Sequence, residues 1–185
     1  MTAVRVRITG ADRDVLRRLT AAPGTDKADV IRRVAGLADD LKPWLVATPL
    51  LLAVRRRPAS VLRGWTALAL AAGGSSIISA VIGRRRPSVA VRDRVKAGDQ
   101  PSSGSMPSTH TASATAFVSA VATADPLAGG LLIPVAGFVA WSRVASTRHY
   151  PSDVVVGGLV GAVSAGAVAL VWRRARPLSW PGRRT

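Results

Sequence analysis

The chain has 185 residues, no cysteine, 48% hydrophobic residues and a formal net charge of +16 at pH 7. This length fits one domain, and the absence of cysteine excludes disulfides and thiolate metal sites. Many of the 26 basic residues stand at the ends of apolar runs, and only 4% of residues are aromatic. This pattern favours anionic lipid headgroups or a phosphorylated substrate over nucleic acid as the binding partner.

Residues 1–40 are predicted to form a polar, amphipathic N-terminal segment, whose start lacks the apolar core of a signal peptide. A short helical pattern covers residues 12–20, and a second covers residues 27–41. The second pattern places its apolar side chains on one face: Val30, Ile31, Val34, Leu37 and Leu41. That face predicts an amphipathic helix on a membrane surface, with a solvated helical hairpin as the alternative.

Five apolar runs follow, over residues 43–54, 64–83, 111–124, 126–142 and 154–172. The second run has 20 residues without a charge, and about 20 residues span a bilayer core. The sequence therefore predicts an all-α membrane helical bundle over residues 41–175, with about five transmembrane helices, and a basic tail over 176–185. A soluble protein with wholly buried helices is the alternative. Small residues at Gly157, Gly161 and Ala165 predict close helix packing.

Two polar segments, residues 84–107 and 142–153, interrupt the apolar runs and are separated by two crossings. They are therefore predicted to meet at one membrane surface. Arginine forks match phosphate oxygens, and free N–H groups at a helix start, here Ser108 and Thr109, also bind anions. Asp153 follows His149 by four residues, so its carboxylate is predicted to hold one ring nitrogen. The alternatives are that Ser108 and Asp153 cap helices and that arginines 84–86 only flank a membrane helix.

The spacing of these residues resembles the type 2 phosphatidic acid phosphatase family, which shares its fold and active site with vanadium haloperoxidases. The family block Ser-Arg, five residues, His, three residues, Asp is matched by Ser142, Arg143, His149 and Asp153. The block Pro-Ser-Gly-His reads Pro107-Ser108-Thr109-His110 here, with Thr in place of Gly. The block Lys, six residues, Arg-Pro ends at Arg86-Pro87, but Ser79 holds the Lys position. The resemblance covers about residues 41–172.

The resemblance implies an integral membrane phosphatase that hydrolyses a lipid phosphate or diphosphate of the phosphatidate, phosphatidylglycerol phosphate or polyprenyl phosphate class. It implies that His149 attacks phosphorus and forms a phosphohistidine, that Asp153 orients His149, and that His110 transfers protons. The implied phosphate ligands are Arg86, Ser108, Thr109 and Arg143. Arg84 or Arg85, with Arg85 favoured by proximity, is predicted to supply the charge missing at Ser79.

No metal or cofactor is expected, because arginines supply the positive charge. The expected location is the cell membrane, with multiple crossings and the active site on the extracytoplasmic face, which places the loop of residues 55–63 and the basic C-terminus in the cytoplasm. One alternative is a catalytically weak or inactive lipid-phosphate-binding protein of the same fold, and Ser79 in the lysine position is the feature that supports it. The other, a vanadate-dependent haloperoxidase, is disfavoured by the apolar runs. The sequence predicts no oligomeric state.

Overall fold

The computed structural model describes residues 7–20, 30, 33–39, 41–87 and 103–175. Within these ranges the chain forms six helices of ten or more residues and no β-strand. They are α1 (Gly10–Leu19), α2 (Lys42–Arg55), α3 (Pro58–Ile82), α4 (Thr109–Ala122), α5 (Pro126–Ala145) and α6 (Pro151–Arg174). Each of the five apolar runs forms one of the helices α2 to α6, so the predicted all-α fold is confirmed. The basic tail over 176–185 lies outside the described residues.

Three helices are long and apolar enough to cross a membrane: α3, α5 and α6, with 25, 20 and 24 residues. Helices α2 and α4 have 14 residues each. At ~1.5 Å per residue such a helix spans about 21 Å, less than the roughly 30 Å of a bilayer core. Five crossings therefore remain a prediction, while the described residues supply three helices of spanning length.

The outer faces of the long helices carry large apolar side chains. Ile77, Leu131 and Val163, one from each long helix, are 70%, 68% and 72% exposed. Exposed apolar area on this scale is costly in water and favourable against lipid tails. These faces therefore fit a membrane environment.

We expect the protein to stay with the membrane fraction after an alkaline wash and to need detergent for dispersion, because its long helices expose apolar side chains. Fractionation followed by size-exclusion chromatography measures this. Recovery of most of the protein in the soluble fraction, monodisperse without detergent, is the outcome that contradicts the membrane fold.

Helix α4 is the centre of the bundle and packs against α3, α5 and α6. Its side chains are mostly small, and Ala112, Ala116 and Phe117 are fully buried. The ring of Phe117 lies 4.8 Å from that of Trp44 and 5.9 Å from that of Trp65, measured between centroids. These contacts connect α4 to α2 and α3, so the helix is held by neighbours on several sides.

Close approach of α6 to α4 depends on two glycines. A Cβ atom on Gly157 would lie 2.6 Å from the Ser108 carbonyl oxygen, and one on Gly161 would lie 2.4 Å from that of Ala112. Any larger residue would push the helices apart, so the close packing predicted for this small-residue spacing is confirmed. The Ser108 N–H also donates to the Asp153 carbonyl oxygen at 2.9 Å. The start of α4 therefore lies directly against the first turn of α6.

The N-terminal segment packs on the same end of the bundle. Helix α1 begins at the N-cap Thr9, which forms a capping box with Asp12, so the helical pattern predicted at residues 12–20 is confirmed. Residues 33–36 are also helical. There Ala35 and Ala38 are buried, whereas Val30 and Leu37 are 58% and 66% exposed. The two alanines therefore pack against the protein, whereas Val30 and Leu37, two members of the predicted apolar face, point away from it.

Candidate active site

The segments that follow α3, precede α4 and connect α5 to α6 meet at one end of the bundle, as the sequence predicts. They meet at the imidazole of His149. The Nη1 atom of Arg86 lies 3.2 Å from His149 Nε2, and the Ser105 carbonyl oxygen lies 2.7 Å from His149 Nδ1. Arg86 Nη1 also donates to the Arg148 carbonyl oxygen at 3.1 Å. One buried ring therefore joins all three segments.

These contacts define the tautomer of His149. A carbonyl oxygen only accepts hydrogen bonds, so Nδ1 carries the proton and donates it to Ser105. Nε2 then keeps its lone pair and accepts from Arg86. Burial lowers the pKa of His149, Asp153 opposes this shift, and the Arg86 charge adds to it, so the pKa lies below the ordinary value. The ring is neutral at neutral pH, with Nε2 available as a nucleophile.

Asp153 lies close to His149 without a hydrogen bond between them. Its Oδ2 atom is 3.8 Å from His149 Nδ1 and accepts instead from the Tyr150 N–H at 2.8 Å, within the capping box of α6. Its Oδ1 atom pairs with Arg84 Nη1. The geometry thus differs from the direct bond predicted between carboxylate and ring. The Ser105 carbonyl fixes the ring, and Asp153 acts on it as a nearby charge.

The guanidinium of Arg143 is 1% exposed and carries a carboxylate partner from the N-terminal segment. Arg143 Nη1 lies 2.7 Å from Asp39 Oδ1, and Arg143 Nη2 donates to the Ala35 carbonyl oxygen at 3.3 Å. Arg148 Nη1 lies 2.7 Å from the same Asp39 oxygen. The Asp39 carboxylate is therefore paired with the guanidinium of Arg143, which the sequence predicts as a phosphate ligand.

The charges around Asp39 keep it ionised. Burial raises the pKa of Asp39, but the contact with Arg143 and the charges of Arg143, Arg148 and His110 outweigh burial, so the pKa lies below the ordinary value. Two arginines that stabilise one anion in this way are suited to bind another.

The first turn of α4 lies beside Asp153, because the Ser108 N–H donates to the Asp153 carbonyl oxygen at 2.9 Å. Ser108 is its N-cap, and the Ser108 hydroxyl accepts from the Thr111 N–H at 3.5 Å and from the Thr111 hydroxyl at 3.1 Å. The predicted capping role of Ser108 is therefore present. Thr109 and His110 are the first two residues of the helix and are half-buried. Backbone N–H groups of a first helical turn have no carbonyl partner within the helix and attract anions.

The two other candidate arginines differ in their surroundings. Arg84 is buried and binds Asp12 Oδ2 at 2.7 Å, the Ser152 hydroxyl at 2.7 Å and Asp153. Its terminal nitrogens are committed to groups of the protein, so this geometry does not favour a phosphate contact for Arg84. The side chain of Arg85 is exposed, and its predicted role in phosphate binding stays a prediction.

At Ser79 the site departs from the family pattern. The Ser79 hydroxyl is buried and donates to the Gly104 carbonyl oxygen at 3.1 Å. A Cβ atom on Gly104 would lie 3.0 Å from the Ser79 carbonyl oxygen. The backbone around Gly104 therefore packs tightly against the position where the family has lysine.

Three groups of this site were not predicted from the sequence: the carboxylates of Asp12 and Asp39 and the carbonyl of Ser105. The one available signal was the spacing of Thr9 and Asp12, which is typical of a helix start. Within the described part of the chain, no three His, Cys, Asp or Glu side chains cluster as metal ligands.

Solved structures with a similar fold include the following two proteins. One is the transmembrane PAP2-type phosphatidylglycerolphosphate phosphatase from Bacillus subtilis, with a TM-score of 0.64 and 17% identity over 91% of this chain and 88% of that one. The other is LpxE from Aquifex aeolicus, with a TM-score of 0.64 and 18% identity over 91% of this chain and 99% of that one. At these identities the likeness concerns the fold. No curated protein sequence matches the chain.

The sequence itself matches a family model. Residues 60–177, more than half of the chain, match the model of the PAP2 superfamily. This range runs from α3 to the end of α6 and includes Arg86, His110, Arg143, His149 and Asp153. The chain belongs to the PAP2 superfamily.

Proposed function

We propose that the protein is an integral membrane phosphatase that hydrolyses a lipid phosphate or diphosphate through a phosphohistidine intermediate. One observation carries this proposal. The His149 Nδ1–H is held by the Ser105 carbonyl at 2.7 Å, so the Nε2 lone pair faces the Arg86 guanidinium at 3.2 Å. A nucleophilic nitrogen beside a cation that attracts phosphate is the arrangement that phosphoryl transfer to histidine requires.

In the first step, His149 Nε2 attacks phosphorus, a P–N bond forms, and the bond from phosphorus to the ester oxygen breaks. His110 gives a proton to the leaving oxygen. The Asp153 carboxylate, 3.8 Å from Nδ1, stabilises the positive charge on the ring. Arg86, Arg143 and the N–H groups at the start of α4 hold the phosphoryl oxygens as negative charge spreads over them.

In the second step, His110, now neutral, takes a proton from water. The water oxygen attacks phosphorus, the P–N bond breaks, and inorganic phosphate leaves. Nε2 recovers its lone pair, so both histidines return to their starting states. In this scheme arginines supply the positive charge, and it requires neither metal nor cofactor.

An apolar groove supports a lipid as the substrate. The groove lies between α2 and α5, has a volume of about 670 Å³, and is lined by residues that include Leu37, Val46, Leu50, Leu132 and Phe138. Leu37 is two residues from Asp39 in the sequence, so one end of the groove begins beside the carboxylate that is paired with Arg143 and Arg148. We assign it to the hydrocarbon tail of the substrate, whose phosphate binds at Arg143.

The charge distribution supports an extracytoplasmic site in the cell membrane. Helix α6 starts at the site, and its far end carries Arg173 and Arg174. Helix α3 runs the other way: it starts just after residues 55–57, which are all arginine, and ends at the site. The arginine-rich ends therefore lie away from the site. Arginine flanks favour the cytoplasmic side, which leaves the site on the opposite face.

Phosphate release from purified protein in detergent tests the function. We expect release from at least one of phosphatidate, phosphatidylglycerol phosphate, polyprenyl phosphate and polyprenyl diphosphate, and the rates rank the substrates. Binding of these lipids without release favours the second candidate, a lipid-phosphate-binding protein. The observations that favour this second candidate are Ser79 in the lysine position and the carboxylate on Arg143.

Replacing Asp39 with asparagine is expected to lower KM about tenfold with a small change in kcat, because the phosphate no longer competes with a carboxylate that is paired with Arg143 and Arg148. Asparagine keeps the volume and removes the charge. Steady-state kinetics and competitive inhibition by vanadate measure the effect. The matched control is Asp14→Asn on the exposed side of α1, where the side chain is 65% exposed. An unchanged KM in the Asp39 variant means that this carboxylate does not compete with substrate.

A further inference from the structure

A buried network of charges connects the N-terminal helix to the site. Arg84 binds Asp12 Oδ2 through Nη2 at 2.7 Å and Asp153 Oδ1 through Nη1. The Ser152 hydroxyl accepts from Arg84 at 2.7 Å and donates to Asp12 Oδ2 at 2.9 Å. None of the three charged side chains is more than 3% exposed. Solvent therefore screens these charges little, and each affects its neighbours strongly.

Asp153 is the member of this network that lies next to His149. Its two oxygens are divided between Arg84 on one side and the Tyr150 N–H on the other. This division fixes the carboxylate at 3.8 Å from His149 Nδ1. The ion pair with Arg84 thus holds the Asp153 carboxylate in its orientation beside the ring.

Asp12 is the second partner of Arg84. Its Oδ1 atom accepts from the Ser152 N–H at 3.0 Å, in the first turn of α6. Its Oδ2 atom binds Arg84 Nη2, and the network of Arg84, Asp153 and Asp12 then has a net charge of −1. Without Asp12, one buried cation would face one buried carboxylate, and the negative field of the network at His149 would be weaker.

We propose that Arg84 is a positioning residue for His149 that acts through Asp153, and that Asp12 of α1 completes this arrangement by binding Arg84 from the other side and making the network net negative. This inference rests on the proposed function, since it concerns the same histidine. It gives Arg84 a role other than the phosphate contact predicted from the sequence. It also makes the N-terminal helix part of the catalytic apparatus.

The groups around His149 determine the expected sign of each charge change. Arg86 faces Nε2, Asp153 faces Nδ1, and Arg84 with Asp12 lies behind Asp153. Tyr150 lies under Arg84, with the guanidinium carbon 4.9 Å from the ring centroid. Arg148 and Arg143 are paired with Asp39 in a separate cluster. Asp12→Asn therefore changes only the network behind Asp153, from a net charge of −1 to zero.

Asp12→Asn is expected to lower the pKa of His149 by roughly half a unit or more, because it removes a nearby negative charge. The neutral ring is the nucleophile, so activity is lost as pH falls through this pKa. The acidic limb of the kcat/KM profile therefore moves to lower pH. Adding Arg84→Gln leaves Asp153 as the only charge of the network. The acidic limb of the double variant is therefore expected to move to higher pH, past the wild-type position.

Nuclear magnetic resonance of histidine-labelled protein in detergent gives the same titration without catalysis. The chain has two histidines, so His110→Ala assigns the signals. Asp14→Asn removes the same charge from the exposed side of α1 and is the control, expected to leave the titration in place. A purely structural role of Asp12 reduces stability or kcat but does not shift the titration.

Two results overturn the inference. One is an unshifted His149 titration in Asp12→Asn, and the other is a shift that the added Arg84→Gln substitution fails to reverse. Failure of the proposed function is a separate result, namely no phosphate release by the wild type. In that case the resonance titration still tests the coupling between Asp12, Arg84 and His149.

Discussion

Replacing His149 with alanine is expected to reduce phosphate release by about four orders of magnitude or more, because no covalent intermediate can form. The wild type should yield a phosphorylated protein that is stable in alkali and labile in acid when the reaction is stopped rapidly. The alanine variant should yield none. Assays with labelled substrate at matched protein concentration measure both quantities.

His149→Gln is the companion variant, because it keeps a polar side chain beside Arg86 and the Ser105 carbonyl. Thermal unfolding in detergent checks that both variants are folded. Near-normal phosphate release by either folded variant would show that His149 is not the nucleophile.

Replacing His110 with alanine is expected to slow hydrolysis of a lipid phosphate by roughly 10²- to 10⁴-fold, the usual contribution of a general acid and base. The loss in the first step should be much smaller for p-nitrophenyl phosphate, whose leaving group needs little protonation. The second step still lacks its base. We therefore expect a burst of p-nitrophenol close to the enzyme concentration, followed by slow turnover.

Rapid-mixing kinetics measure the burst, and the phosphorylated protein should accumulate in this variant. Its accumulation distinguishes His110 from His149, whose alanine variant forms no intermediate. Equal losses with both substrates and no burst would exclude His110 as the proton donor in the first step.

The helices could be predicted because the apolar runs are long and have clear ends. The number of crossings could not be predicted in the same way. A run of Ala, Val, Ser and Thr has the same composition whether it faces lipid or other helices. Helix α4 is such a run. Its burial against three neighbouring helices depends on the tertiary structure and cannot be read from the composition of the run.

The proposed nucleophile, His149, and the nearby Arg143 and Asp153 could be singled out from the sequence because they lie within one short segment, residues 142–153. The carboxylates that pair with the arginines could not. Asp12 lies 72 residues from Arg84 and 140 from Ser152, and Asp39 lies 109 residues from Arg148. No periodicity or spacing connects residues so far apart, and an arginine beside an expected phosphate site is naturally assigned to the phosphate.

Ser79 illustrates the same difficulty. The sequence shows a missing lysine and predicts a substitute charge from Arg84 or Arg85. The structure shows Ser79 bonded to Gly104, one residue before the Ser105 carbonyl that holds His149. A lysine at this position would have to displace that backbone. A local pattern reveals which side chain is absent, but not what fills its space.

The pairing of Asp12 also bears on how the chain is assembled during synthesis. Asp12 is synthesised before its partners, since Arg84 follows it by 72 residues and Ser152 by 140. Synthesis proceeds at about 5 to 20 residues per second, so α1 waits several seconds for the helix that it docks against. The charge network closes only when α6 has been inserted. A nascent chain therefore has no complete site before α6 is in place, and the insertion of this helix is the step that completes it.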